Sequence, residues 1–245
     1  MSSPVILITG AARRIGAEIA RTLHAAGANV ALHYRGSRGE VEQLTQALNA
    51  ARADSAIALA ADLGDSAAAP SLVDAVLKHF CRLDGLVNNA SSFFPTPVGS
   101  IDEAAWKTLI GSNLKGPLFL AQAAAPHLAQ SNGAIVNITD IHTERPWKGD
   151  AVYMSAKAGL AGLTRALAIE LAPQVRVNGV APGAILWPED DSFSAMERAA
   201  IVAHTPLQRM GSPEDIARTV KFLLFDAPFI TGQIINVDGG RSIHI

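Results

Sequence analysis

Short apolar runs alternate with amphipathic helical stretches along the whole chain, and this alternation constrains the fold more than any other feature. Val5 to Thr9, Asn29 to His33, Ala56 to Ala60, Gly85 to Val87, Ala134 to Ile138, Val175 to Val180 and Gly232 to Val237 read as strands. The first, Val5 to Thr9, is a short apolar run, as expected of a strand covered on both faces of a parallel sheet. Between the strands, apolar residues recur at helical spacing: Ile15, Ile19 and Leu23; Val41, Leu44 and Leu48; Leu72, Val73, Val76, Leu77 and Phe80. Further helices are expected over Ile101 to Leu120, over Tyr153 to Leu171, and from Ser212, where Ser-Pro-Glu-Asp supplies a cap, a first-turn proline and an acid at the third position. Strand followed by helix, repeated, implies right-handed crossovers and an α/β, doubly wound parallel sheet of about seven strands with helices on both faces. At 245 residues such a sheet forms one domain, 1–245, with an insertion of about 184–210 suited to a substrate lid, in which Trp187, Pro188, Glu189, Asp190 and Asp191 fall.

In this architecture ligands sit at the carboxyl ends of the strands. The first strand ends in Gly10-Ala11-Ala12-Arg13-Arg14-Ile15-Gly16, where glycines let the backbone approach a pyrophosphate and the following helix offers N–H groups and partial positive charge. A tight turn with no ligand is the alternative. After the second strand comes Tyr34-Arg35-Gly36-Ser37-Arg38, with no acid between Ala28 and Gly39 to hold a ribose diol. Arg35 and Ser37 form a cradle for an added 2′-phosphate, favouring NADPH over NADH, whereas Arg38 can equally be a solvated cation. Asp62-Leu63 closes the third strand, where the carboxylate either bonds an adenine amino group or caps a turn. Asn88-Asn89-Ala90-Ser91-Ser92-Phe93-Phe94 follows the fourth strand, Thr139-Asp140 the fifth and Pro182-Gly183 the sixth.

Net charge narrows the partners. Twenty basic against 22 acidic residues give −2, so no global field favours nucleic acid or an anionic membrane surface. Single Cys81 leaves no internal disulfide or thiolate metal cluster and suits a reducing, cytoplasmic setting. The opening Met1-Ser2-Ser3-Pro4 carries no signal pattern, and Gln122, His127, Arg165 and Glu170 interrupt the most apolar helices, so no membrane span is expected. His142 has no partner pattern for a metal; it and Trp147 are open to substrate contact or packing.

Tyr153 and Lys157 lie four apart at the start of a helix and so share a face. A nearby ammonium is expected to lower a phenol pKa that starts near ~10, fitting tyrosine for proton transfer. Such a pair alone is weak evidence, because the spacing arises by chance in many helices.

Taken in order, Thr9-Gly10 to Gly16, Asp62, Asn88-Asn89-Ala90, Asn113, Tyr153 to Lys157 and Pro182-Gly183 resemble the short-chain dehydrogenase/reductase family across essentially the whole chain. The resemblance implies a Rossmann-type sheet, a nicotinamide cofactor and a homotetramer. It further implies that Lys157 bonds the nicotinamide ribose, that Asn113 braces Lys157 through water, and that backbone near Pro182-Gly183 orients the carboxamide. Three departures resemble the pteridine reductase branch: Arg14 replaces the middle glycine of the turn, Ser91-Ser92-Phe93 extends the Asn-Asn-Ala motif, and Asp140 stands where the family has its catalytic serine.

By this resemblance Phe93 is placed to stack on a flat ring, with core packing the alternative; Arg14 puts a cation beside a pyrophosphate or a pterin, Ser91 can hold pterin or phosphate by its hydroxyl, and Trp187 is open to substrate contact, surface or packing. Asp140 pairs with an amino-pyrimidine or assists protonation by Tyr153; its alternative is to cap the next loop. The implied activity is NADPH-dependent hydride transfer to a C=N bond of a dihydropterin, biopterin or dihydrofolate. A generic carbonyl or imine reductase is the first alternative, and a non-catalytic NADPH-binding protein the second, which would need none of Asn113, Tyr153 and Lys157.

Overall fold

A computed structural model describes residues 3–187 and 193–244; Pro188, Glu189, Asp190 and Asp191 of the expected lid lie outside them. Seven strands form one parallel sheet: β1 Val5–Ile8, β2 Asn29–Tyr34, β3 Ala56–Ala60, β4 Gly85–Asn88, β5 Ala134–Ile138, β6 Arg176–Pro182 and β7 Ile234–Val237. Their order is β3-β2-β1-β4-β5-β6-β7, so the chain reverses direction of winding between β1 and β4. The crevice at that reversal is where side chains from both halves of the sheet converge.

Alternate residues of each strand face opposite helical layers. Ile6, Ile8, Val30, Leu32, Val87 and Val136 pack with Ile19, Leu23, Val41 and Ile216, from helices α1 (Arg14–Ala25), α2 (Arg38–Ala51) and α8 (Pro213–Lys221). Val5, Leu7, Ala31, Leu86 and Ile135 face the other way, onto α3 (Ala68–Phe80), α5 (Gly116–Ser131) and α6 (Ala151–Glu170), through Leu72, Val76, Leu120 and Leu167. Fully burying one such aliphatic side chain is worth about 1.5–3 kcal/mol, so the two apolar layers hold the sheet in place beneath its loops.

Two helices differ from expectation. The stretch expected as a helix over Ile101 to Leu120 is α4 (Glu103–Ile110), then a π-helical turn Gly111–Lys115, then α5 running on to Ser131. Asp102 caps α4 by accepting from the Ala105 N–H at 2.7 Å. Within the expected irregular insertion, α7 (Ala195–Ala203) is a regular helix opened by a reciprocal cap between Ser194 and Glu197. That Ser-x-x-Glu pattern was the available signal, and the short apolar content of the segment hides it. No helix among the described residues is long and apolar enough to cross a membrane.

Candidate active site

The crevice between β1 and β4 is built from backbone held at close range. Thr9 Oγ1 accepts from the N–H groups of Asn89 and Ala90 at 2.9 and 3.0 Å, and Asn89 Nδ2 donates to the carbonyls of Thr9 and Gly10. Gly10 has φ +62°, in the region that favours glycine, and a Cβ on Gly16 would lie 2.1 Å from the Gly10 carbonyl oxygen. The amino terminus of α1 has no side-chain cap and no acid in its first turn. Its leading N–H groups and macrodipole therefore favour an anion.

A cleft of about 530 Å³ opens above this turn. Gly10, Arg13, Arg14, Ile15, Gly16, Tyr34, Arg35, Gly36, Ser37, Asp62, Leu63, Asn89, Ala90 and Ser91 all line it. Arg13, Arg14 and Arg35 against Asp62 give it a local positive balance that the whole chain lacks. Asp62 Oδ1 accepts from the Gly64 N–H at 2.9 Å, so it caps its turn while bordering the cleft. Arg38 is outside, paired with Glu42 at 2.7 Å. Sequence pattern passes over His33, which also lines the cleft: its Nδ1 pairs with the Gly10 N–H at 3.2 Å and its Nε2 with the Ala61 carbonyl at 3.2 Å. A histidine ending an otherwise apolar strand was the only local sign. Burial holds its pKa below the ordinary value, which keeps the ring neutral and able to accept from Gly10.

A second cavity, of about 190 Å³, adjoins the carboxyl ends of β5 and β6. Phe93, Asp140, His142, Trp147, Tyr153, Pro182, Gly183 and Trp187 line it, so Pro182-Gly183 border this cavity rather than the phosphate end of the cleft. Tyr153 donates its phenolic hydrogen to Asp140 Oδ2 at 3.0 Å. Asp140 Oδ1 accepts from the His142 N–H at 2.8 Å, so the same carboxylate caps the following turn and holds the phenol. Phe93 is half exposed and meets the Tyr153 ring edge-on, with centroids 4.9 Å apart. Phe94 packs into the small core of Leu109, Val152 and Met154. His142 stacks on Trp147 at 4.0 Å.

Arg14 joins the two regions. Its guanidinium donates to the carbonyls of Leu186 and Trp187 at 3.2 Å, tying the glycine turn to the start of the insertion. Asn113, buried in the π-helical turn, accepts from Ser91 Oγ at 2.6 Å and donates to the Ser92 and Leu109 carbonyls. It thus braces the loop that carries Ser91 and Phe93 from within the π-helical turn.

The titration of the pair runs opposite to the expectation that Lys157 lowers the phenol pKa. Burial, then the Asp140 charge and hydrogen bond, hold the Tyr153 phenol well above its ordinary value, with a Ser91 hydrogen bond opposing. Lys157 Nζ donates to the Ile138 carbonyl at 2.8 Å and lies 5.8 Å from the Tyr153 ring centre. Its own pKa falls from 10.5 to about 8, because burial disfavours the ammonium more than Asp140 favours it. The folded chain therefore gives up this proton before the unfolded chain does. The group's stabilising contribution is complete above the unfolded value of 10.5 and is lost as pH falls through about 8. Denaturant unfolding should show wild type gaining on Lys157→Met between those two pH values. A difference that stays flat across that window would refute the buried-ammonium assignment.

Residues 10–242 match a family model described as enoyl-(acyl carrier protein) reductase. The chain is 41% identical to pteridine reductase 1 of Leishmania tarentolae, over 99% of this chain and 97% of that protein. It is 39% identical to a 3-oxoacyl-[acyl-carrier-protein] reductase of Staphylococcus aureus, over 96% of each chain.

Proposed function

The chain belongs to the short-chain dehydrogenase/reductase family and is an oxidoreductase, and from that premise we propose that it reduces pterins with NADPH. The observation that carries the reading is the 3.0 Å bond between Tyr153 and Asp140, with Phe93 exposed beside it. A serine at position 140 would suit polarisation of a ketone oxygen. A carboxylate suits an amino-pyrimidine, to which it can return two hydrogen-bond acceptors, and it keeps the neighbouring phenol protonated. The similarity to a pteridine reductase supports the same reading, and the 3-oxoacyl reductase supports the carbonyl alternative.

The cleft fits a dinucleotide: a Cβ would fill the space at Gly16, and the uncapped end of α1 suits its pyrophosphate. In this proposal Arg35 and Ser37 take the 2′-phosphate, Arg13 and Arg14 border the pyrophosphate, Ser91 borders the nicotinamide end, and Lys157 bonds the ribose. Bound NADPH supplies the hydride that reduces the carbon of the C=N bond. Tyr153 gives the adjacent nitrogen its proton, and its raised pKa makes it an acid that arrives protonated. Asp140 holds the phenol in place and relays a replacement proton from solvent. Phe93 covers one face of the substrate ring, and Trp187 closes the side that Arg14 ties down. Alignment of these groups supplies most of the rate, since positioning alone can be worth effective molarities of ~10⁵ M or more.

Nicotinamide absorbance with dihydrobiopterin, dihydrofolate and a panel of ketones tests the reading. Pterins should be turned over fastest; ketones turned over faster would replace it with the carbonyl reductase, and tight NADPH binding without turnover would leave only a binding protein. In the same assay, Arg35→Ala should raise the KM for NADPH by about tenfold, the worth of one charge-assisted phosphate contact, with little change for NADH. An equal change for both cofactors would remove Arg35 from the 2′-phosphate site. Tetramer formation is proposed on family grounds and is read by light scattering.

A further inference from the structure

Among the described residues lining the substrate cavity, Arg241 is the one basic side chain of the lysine and arginine type, and the proposed reaction leaves it without a task. It is more than nine-tenths buried. A guanidinium has five N–H donors. Among the described residues only one hydrogen bond is made here, from Nη1 to the Ile201 carbonyl at 2.9 Å. Among the described residues no carboxylate makes an ion pair with it. The Asp238 charge favours the guanidinium without bonding it, since the two Asp238 oxygens accept from the Gly240 and Ser242 N–H groups, at 2.9 and 2.7 Å.

The position is rigidly built. Gly239 and Gly240 both adopt positive φ, +64° and +86°, turning the chain back after β7, and a Cβ at Gly239 would strike Thr205 at 2.8 Å. Leu207 donates its N–H to the Gly239 carbonyl at 3.1 Å. The turn thus seats Arg241 under the last turn of α7, whose Ile201 carbonyl also accepts from Thr205 Oγ1. A cation suits a helix carboxyl end, which accounts for one donor of the guanidinium and leaves the face toward the cavity. A buried cation with the Asp238 charge near it but no ion-pair contact among the described residues is still costly to keep, and an anion entering the cavity offsets that cost.

We propose that Arg241 determines substrate specificity, taking an anionic oxygen group, a carboxylate or a phosphate, on the substituent that the substrate carries beyond its reacting ring. The inference rests on the reading of this cavity as the substrate site and sharpens the class from pterins in general to pterins with an acidic tail.

Matched pairs test it: dihydrofolate against dihydrobiopterin, dihydroneopterin monophosphate against dihydroneopterin, and acetoacetate against methyl acetoacetate. Each is assayed with wild type, Arg241→Gln and Arg241→Lys. Wild type should favour the acidic member of at least one pair by about tenfold or more in kcat/KM, the worth of a charge-assisted bond. Arg241→Gln should erase that ratio and Arg241→Lys keep part of it; the carboxylate and phosphate pairs tell the two anions apart. If Arg241→Gln does not fold, Arg241→Lys decides, since an unchanged ratio there overturns the proposal. So does the absence of any acid preference in wild type, its survival in Arg241→Gln, or an equal fall for both members of a pair, which would reduce Arg241 to holding α7. A preference confined to the keto acid would end the pterin reading and leave Arg241 its role. If nothing is turned over, the thermal shift of NADP-loaded protein with the same pairs is judged by the same ratios.

Discussion

Tyr153→Phe should lower kcat for pterin reduction by about 10²-fold or more, the usual worth of a positioned general acid, while leaving the affinity for NADPH nearly unchanged. The substitution removes one oxygen and keeps the ring that meets Phe93 edge-on and packs against Val152 and Met154. What it deletes is the hydroxyl that donates to Asp140 at 3.0 Å. Steady-state kinetics with a parallel NADPH titration reads both quantities, and near-normal reduction by the variant would end the assignment of Tyr153 as proton donor. A second readout belongs to the same pair. Because burial and the Asp140 carboxylate raise the phenol pKa, the wild-type rate should not lose its acid by tyrosine ionisation until well above the ordinary tyrosine range. Asp140→Asn removes the charge, so it should bring that ionisation to lower pH.

Gly16→Val should abolish NADPH binding and lower Tm. A Cβ there would sit 2.1 Å from the Gly10 carbonyl and 2.6 Å from Asn89 Nδ2, and the first of these is backbone that the Thr9–Asn89 bonds hold in place. The turn must therefore open. Overpacking of this kind costs about 1–3 kcal/mol, and the displaced turn also carries the helix end aimed at the pyrophosphate. Differential scanning calorimetry with and without NADPH measures both losses. Gly162→Ala serves as the control, because nothing lies within 4 Å of its added Cβ; in the interior of α6 it should raise stability slightly, by about 0.5–1 kcal/mol. A Gly16→Val protein that keeps its thermal response to NADPH would show that the turn is not where the dinucleotide lies.

The proposed pterin turnover and acid preference, and the expected behaviour of these variants, all depend on contacts between residues distant in sequence. Asp140 shows the difference. Its place at the end of an apolar strand is legible in the chain itself, and that it stands where the family has a serine is what the resemblance implies. That one of its oxygens caps the next turn while the other holds Tyr153 is not legible there, since it depends on the loop from Ile141 to Asp150 bringing the start of α6 back to the end of β5. Asn113 likewise stands out by resemblance, but the π-helical turn that points its amide at Ser91 and Ser92 has no period-based signal, because one extra residue in a turn hardly alters the apolar pattern.

By itself the sequence determined the alternation of strand and helix, the parallel sheet, the glycine turn after β1 and the shared face of Tyr153 and Lys157. These are local properties: apolar runs, helical periodicity and the freedom of glycine act over a few neighbouring residues. Tertiary structure alone decided the sign of the Tyr153 shift, the tie from Arg14 to Leu186 and Trp187, and the seating of Arg241 under α7 in the second cavity. A pKa depends on how far a group is withdrawn from water and which charge lies beside it. A cavity depends on which segments the sheet order brings together, and neither is encoded in the spacing of nearby residues.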